Sequence, residues 1–396
     1  MRHLSLSSVN LAQTERSPWL DMLSVFRDKL LSKPGMYRFA LSNPLTRWFT
    51  QHRTRQVFDV MAGFVHSQVL LACVRLKLFE KVMKEPKTLQ ELSQLTHVPE
   101  AGLQRLIQSA LALNLLEQRS AYRYGLGPLG SVIAMDEGIK AMIEHNNLLY
   151  HDMVDPVAIL QDSWSGQLND YWPYAQEQSA DAAHRVEHAS DAYAKYSELM
   201  AASQTFVIEE ILSSYLFHEH HGVLDVGAGK GRFACALAKK YPSVDVSIFD
   251  LPHVTQVSRQ LIEQKGLSSR IKVHAGDFTN DVLPEGADLA TLVRIAHDHN
   301  DDVLLGLLKS IFASLPAGGT LLLAEPMAIE PGEKPHGDAY FHFYLLAMGS
   351  GRLRTPSELM HLMKLAGFTH LETVPNAMPV HTRILLGRKS LSVSPS

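Results

Sequence analysis

From residue 222 onward the chain repeats one unit, a short apolar run followed by a segment long enough for a helix. The runs are Gly222–Val226, Val246–Phe249, Ile271–His274, Leu289–Val293 and Thr320–Ala324. Continuous apolar strands are buried on both faces, and helix-length crossovers join parallel neighbours. The rhythm therefore predicts an α/β fold, a mostly parallel Rossmann-like sheet with helices on both sides. Two later runs, Leu371–Val374 and Arg383–Gly387, are placed to close an edge.

The preceding half has a different texture, and 396 residues leave room for two domains. Thr88 with Glu91 forms a capping-box pattern that opens a short helix. After a turn at His97–Pro99, the residues Leu103, Leu106, Ile107, Ala110 and Leu111 trace one buried helical face. Leu115–Glu117 and Tyr122–Tyr124 read as a hairpin, which completes a winged-helix unit. Ahead of it, the apolar run from Val57 to Arg75 predicts a helix buried on nearly every face. Residues 136–220 read as mainly helical, with Trp164, Tyr171, Trp172 and Tyr174 in a turn-rich stretch. The expected organisation is a basic extension over 1–54, the winged-helix domain over 55–135 and a helical connector over 136–220. The α/β domain then occupies 221–390 and a tail 391–396.

A winged helix raises the possibility of a DNA-binding regulator, and charge argues against it. Between residues 88 and 125, Arg105, Arg119 and Arg123 are balanced by Glu91, Glu100 and Glu117, so no phosphate-binding footprint is present. The unit reads instead as a packing or dimerisation module. Two cysteines, Cys73 and Cys235, make neither a disulfide framework nor a zinc site and suit a cytoplasmic protein. No metal is expected, and the patch of His218, Glu219, His220 and His221 reads as structural. No apolar run reaches the roughly 18–20 residues of a spanning helix. Residues 1–55 carry nine Lys/Arg against three acids, a balance of +6, so the remainder of the −4 chain is −10. With Trp19, Phe26, Trp48 and Phe49, this leader is either a solvated extension or a peripheral contact with an anionic membrane surface.

The first α/β strand runs into Asp225, Val226, Gly227, Ala228, Gly229, Lys230 and Gly231. Glycines there let backbone approach a ligand at a helix N-terminus. A dinucleotide site favours GxGxxG, but Arg232 occupies the sixth place here. The second strand ends at Asp250 and Leu251, the third at Asp277 and Phe278. A carboxylate at Asp250 suits ribose hydroxyls; Asp277 and Phe278 suit an adenine amine and ring. Three acids at one rim would repel a pyrophosphate and accept a sulfonium nucleoside, S-adenosylmethionine. Arg294, which follows the fourth strand, is included with these cofactor-binding candidates.

His297 follows the fourth strand in the same crevice, where an imidazole can serve as a general base. Glu325 ends the fifth strand and is expected to orient it, and Asp298 either assists or caps the next helix.

With these motifs the chain resembles the plant-type (class II) O-methyltransferase family over roughly residues 56–390. The resemblance implies a class I S-adenosylmethionine-binding domain behind a winged-helix dimerisation domain, and hence a homodimer. It implies His297, in the family's HDW-like motif, as the general base, flanked by Glu325. Two further stretches are similar to the family's purple-bacterial carotenoid branch, the demethylspheroidene (hydroxyneurosporene) O-methyltransferases. They are Phe58–Phe64 with Ser67–Val74, and Gly337–Arg352. That branch implies methylation of the tertiary hydroxyl of a 1-hydroxy carotenoid. The alternatives are a phenol, polyketide or tetrapyrrole acceptor. Three positions depart from the plant pattern: His299 stands for a Trp, Val293 for a basic residue, and Leu353 for a second acid flanking the base. The apolar acceptor pocket is expected to draw on Phe64, His66, Tyr340, Phe341, Phe343, Tyr344 and Met348.

Overall fold

The computed structural model describes residues 18–161, 166–168, 204–333, 337–379 and 382–391, in two compact units that divide between Ala134 and Met135. Trp164, Tyr171, Trp172 and Tyr174 lie outside the described residues.

The first unit opens with helices Pro18–Leu31, Pro34–Ser42 and Pro44–Arg75. Proline begins each helix, where its fixed φ fits and its missing N–H costs nothing. The Asn43 side chain caps the third by accepting from the Leu45 amide at 3.0 Å. This helix runs unbroken through residue 54. Strand β1 (Lys87–Thr88), helices Leu89–Thr96 and Glu100–Ala112, β2 (Leu116–Gln118) and β3 (Arg123–Leu126) follow. The three strands pair in the order β1-β3-β2. That is the winged helix expected from the sequence, and both halves of the Thr88–Glu91 capping box form.

The Val57–Arg75 run departs from its expected burial. Only Leu71, Cys73 and Val74 of the long helix are buried, while Val57, Phe58, Val60, Met61 and Phe64 are exposed in the single chain. Apolar pattern reports a demand for burial but not which molecule supplies the cover. The helix is also long and apolar enough, by length and composition, to cross a membrane. Asp59, Ser67 and Gln68 interrupt the apolar run without ending the helix, so counting continuous residues understates it.

The second unit carries helices Glu137–Asp152 and Pro156–Leu160, then the α/β sheet. Its strands are β4 (Gly222–Val226), β5 (Asp245–Asp250), β6 (Ile271–Ala275), β7 (Leu289–Val293), β8 (Thr320–Glu325), β9 (Thr369–Val374) and β10 (Arg383–Arg388). They lie in the order β6-β5-β4-β7-β8-β10-β9. The first five in sequence are parallel, and β10 runs antiparallel between β8 and β9, closing the edge as expected. One face packs Phe233, Leu237 and Ile262 against the sheet, the other Leu304, Leu308, Leu359 and Phe368. The order reverses direction at β4, with β5 on one side and β7 on the other. Such a switch point opens a crevice at the strands' carboxyl ends. Register brings Val226 beside Leu292 and Val293 beside Ala324. The glycine turn, His297 and Glu325 thus share one rim.

Candidate active site

The turn after β4 is built on left-handed glycines, Gly227 at φ +70°, Gly229 at +55° and Gly231 at +75°. A Cβ at Gly227 would meet Ile295 Cδ1 at 2.6 Å, whereas one at Gly229 would project into open space. Gly229 therefore lies at the open face of the turn, and Gly231 N-caps helix Arg232–Lys240. Asp250 aims both carboxylate oxygens inward, Oδ2 accepting from the Gly229 amide and Oδ1 from the Leu251 amide, each at 2.7 Å. Burial pushes this carboxyl up to about 6, against the lowering effect of those two amides. An ionised carboxylate has about four acceptor positions, so Asp250 retains capacity for a vicinal diol. The open glycine face and this acid fit an adenosine bearing a positive sulfonium.

Two further cofactor-binding candidates also tie the rim together. Asp225 is buried beneath the turn and accepts from Thr291 Oγ1 at 2.8 Å, tying β4 to β7. Burial raises it to about 7, and its bond to Thr291 braces the rim. Asp277 closes its own turn, with Oδ1 accepting from the Thr279 amide and hydroxyl and Oδ2 from Asn280 Nδ2. Phe278 meets His299 edge to face, centroids 5.4 Å apart. An imidazole thus supplies the ring contact at the position where plant members have Trp. Burial holds His299 down at about 4, so that ring is neutral.

His297 sits in a 3-10 turn after β7, with its Nδ1 3.3 Å from Glu325 Oε2. The same oxygen accepts the His297 backbone amide at 3.0 Å, so Glu325 fixes main chain and ring together. Glu325 is fully buried, and its Oε1 has no hydrogen-bond partner among the described residues. Asp298 Oδ1 stands 3.3 Å from His297 Nε2. Burial alone would lower the imidazole pKa; Asp298 first, then Glu325, outweigh it and hold His297 above its ordinary value. Asp298 itself is raised by burial, despite the opposing charges of His297 and Arg294. Arg294 leads into this turn in a left-handed conformation, φ +57°, its amide donating to the Ala324 carbonyl at 2.9 Å.

Sequence reasoning missed a brace on this turn. Arg354, only 1% exposed, donates from Nη1 to the Ala296 carbonyl at 2.8 Å and from Nη2 to the His299 carbonyl at 2.7 Å. The Arg352 amide donates to the His297 carbonyl at 3.0 Å, and Ser350 Oγ to the Asp298 carbonyl at 3.2 Å. Asp301 anchors both guanidinium groups. Four successive carbonyls are therefore held by residues 350–354. The signal available was two arginines flanking Leu353 in a glycine-bounded run.

Leu353 is buried with Tyr344, Leu345, Ala347, Met348 and Leu149. Tyr340, Phe341, Tyr344 and Met348 share helix Asp338–Met348, and Phe343 on it is half-buried. Tyr340 stacks on Tyr344 with centroids 5.7 Å apart. Tyr344 OH pairs with His145 Nε2 at 2.9 Å, and Tyr340 OH donates to Asn146 Oδ1 at 2.8 Å. Burial lowers His145 to about 4, which keeps it neutral. Phe64 and His66 lie on the long helix of the first unit, Phe64 exposed in the single chain. His220, in the histidine patch, is held by Asp288 at 3.0 Å and Tyr215 at 2.7 Å.

Residues 157–369 match the O-methyltransferase domain model, and residues 58–136 match the O-methyltransferase dimerisation domain. The chain belongs to the class II O-methyltransferase family. It is an S-adenosylmethionine-dependent O-methyltransferase, and its dimerisation domain supports a homodimer. It is 36% identical over 338 residues to the demethylspheroidene O-methyltransferase of Cereibacter sphaeroides, covering 85% of this chain and 87% of that protein. The enzyme of the same description from Rhodobacter capsulatus is 36% identical over 349 residues, covering 86% and 84%. The fold matches human N-acetylserotonin methyltransferase, solved with S-adenosylmethionine, at a TM-score of 0.70 and 22% identity, over 85% of this chain and 98% of that one.

Proposed function

We propose that this O-methyltransferase methylates the tertiary hydroxyl of a 1-hydroxy carotenoid, with His297 as general base. The acceptor class is supported by the 36% identity to two demethylspheroidene O-methyltransferases and by the apolar cluster of Leu353, Tyr344 and Met348 buried where the family's second acid would stand. One observation carries the mechanism: His297 lies between two buried carboxyl groups, Glu325 Oε2 3.3 Å from Nδ1 and Asp298 Oδ1 3.3 Å from Nε2, an arrangement that supports a proton held on the ring.

The bound cofactor supplies an electrophilic methyl group on sulfur, which it would give up to the acceptor oxygen, leaving as the neutral thioether. Asp250 and the glycine turn hold the nucleoside, and the helix Asp338–Met348 lines the acceptor side. His297 Nε2 takes the hydroxyl proton, while Glu325 and Asp298 stabilise the resulting imidazolium. A tertiary alkoxide is too basic to form beforehand, so the proton leaves during or after attack. Placement of oxygen against methyl then contributes much of the rate.

The test is transfer of labelled methyl from S-adenosylmethionine to purified 1-hydroxy carotenoids, simple phenols and polyketides in parallel. Carotenoid ethers as the dominant product support the proposal. Preferential labelling of a phenol or a polyketide would retain the methyltransferase and overturn the acceptor.

A further inference from the structure

The dimerisation domain match begins at residue 58, but the helix containing that residue begins at Pro44, with two more helices before it. This arm, residues 18–57, displays apolar side chains to solvent in a helical pattern. On the first helix Trp19, Met22, Leu23, Phe26 and Leu30 follow the i, i+3, i+4, i+7, i+11 spacing of one face. Trp19, Met22, Leu23 and Phe26 are all exposed. On the long helix Leu45, Trp48, Phe49 and His52 repeat that spacing, with Leu45 90% and Trp48 73% exposed. The Trp48 and His52 rings stack at 5.7 Å, and the Arg53 guanidinium lies 5.2 Å from the Phe49 ring centre.

Charge accompanies both faces. Residues 18–57 contain Arg27, Lys29, Lys33, Arg38, Arg47, Arg53 and Arg55 against Asp21 and Asp28, seven minus two or +5. The whole chain is −4, so everything outside the arm sums to −9. The positive charge is therefore concentrated where the aromatic rings are exposed.

We propose that residues 18–57 dock on an anionic lipid surface. Tryptophan and phenylalanine on one helical face insert at the headgroup level, and arginines beside them meet lipid phosphates. Each basic residue near such a surface adds to the attraction, which is screened by salt. This surface association is independent of the acceptor's identity. It would give an apolar acceptor dissolved in a bilayer a short path to the enzyme.

The test is co-sedimentation of the full chain with vesicles of phosphatidylcholine alone or mixed with phosphatidylglycerol, at low and high salt. Binding at least about ten-fold tighter to the phosphatidylglycerol vesicles, weakening with salt, is expected. Charge reversal at Arg47, Arg53 and Arg55 (each Arg→Glu) should abolish that preference, and Trp48→Ser with Phe49→Ser should weaken binding to vesicles. Cofactor binding by these variants, measured calorimetrically, checks that they remain folded. Equal partition to both vesicle types, or unchanged binding by the variants, overturns the proposal. So does conversion of a lipid-free dimer to monomers by Trp48→Ser with Phe49→Ser, because the face would then be covered by a second copy.

Discussion

The buried guanidinium of Arg354 donates to the backbone carbonyl of His299 across 2.7 Å, and its other arm reaches the carbonyl of Ala296. The 3-10 turn that presents His297 is thereby clamped on both sides by one side chain. Arg354→Met strands two carbonyls and removes one of the two arginines on Asp301. Breaking such a buried network costs about 3–5 kcal/mol. Urea denaturation should show that loss, and Arg354→Lys, which keeps the charge but not the fork, should fall between it and the parent.

Gly351 carries φ +75°, and a Cβ there would stand 2.0 Å from the His297 carbonyl oxygen. Gly351→Ala must push back the turn it braces and also adopt a left-handed backbone, at a cost of about 1–3 kcal/mol for the strain alone. The expected readout is a lower turnover number with little change in cofactor affinity, since the glycine turn after β4 is untouched. Unchanged turnover would show that the turn tolerates displacement.

His297 must be neutral to accept a proton, and it is protonated below its pKa. Asp298 and Glu325 hold that pKa above the ordinary value in spite of burial, so turnover should fall as pH drops through this elevated value. Asp298→Asn removes the largest raising influence and should move the acid limb of the pH–rate profile to lower pH. His297→Ala should lose about 10²–10⁴ in turnover while still binding cofactor. Profiles of the parent and Asp298→Asn enzymes, measured from pH 5 to 9, check the direction.

Asp250, pushed up to about 6 by burial, must be ionised to accept hydrogen bonds from a ribose diol without donating one. Cofactor affinity should therefore weaken as pH falls through about 6. Asp250→Ala should weaken it by about 10–100-fold, the worth of hydrogen bonds to a charged acceptor. Titration calorimetry at pH 5 and 7.5 distinguishes this from general unfolding.

The exposed face of the long helix around Val60 and Phe64 predicts that Val60→Asp yields monomers, because a charge in an apolar interface is left unpaired. Light scattering on the eluted protein reads the change directly.

Most of this architecture was legible from the sequence because each piece rested on local chemistry. Glycine spacing marked the turn after β4, apolar runs marked the strands, and residues at consecutive strand ends converged because a parallel sheet brings those ends together. His297 and Glu325 were paired on that basis alone. Three features escaped for physical reasons. Asp225 and Asp277 share a rim with Asp250, and the ties they make, one from β4 to β7 and the other within its own turn, are set by neighbours and not by residue type. Arg354 reads as a surface residue until its carbonyl partners are known. The Val57–Arg75 helix reads as buried because apolar pattern cannot say whether the cover belongs to the same molecule.

Ile295 fills the volume that a side chain at residue 227 would need, its terminal carbon 2.6 Å from where that Cβ would stand. The glycine turn after β4 and the turn that carries His297 are thus in contact through a single hydrocarbon side chain. On the proposed mechanism, that side chain would act as a gauge for the distance between the cofactor turn and the imidazole. Trimming or enlarging the residue at 295 would reset that gauge without touching a charged group.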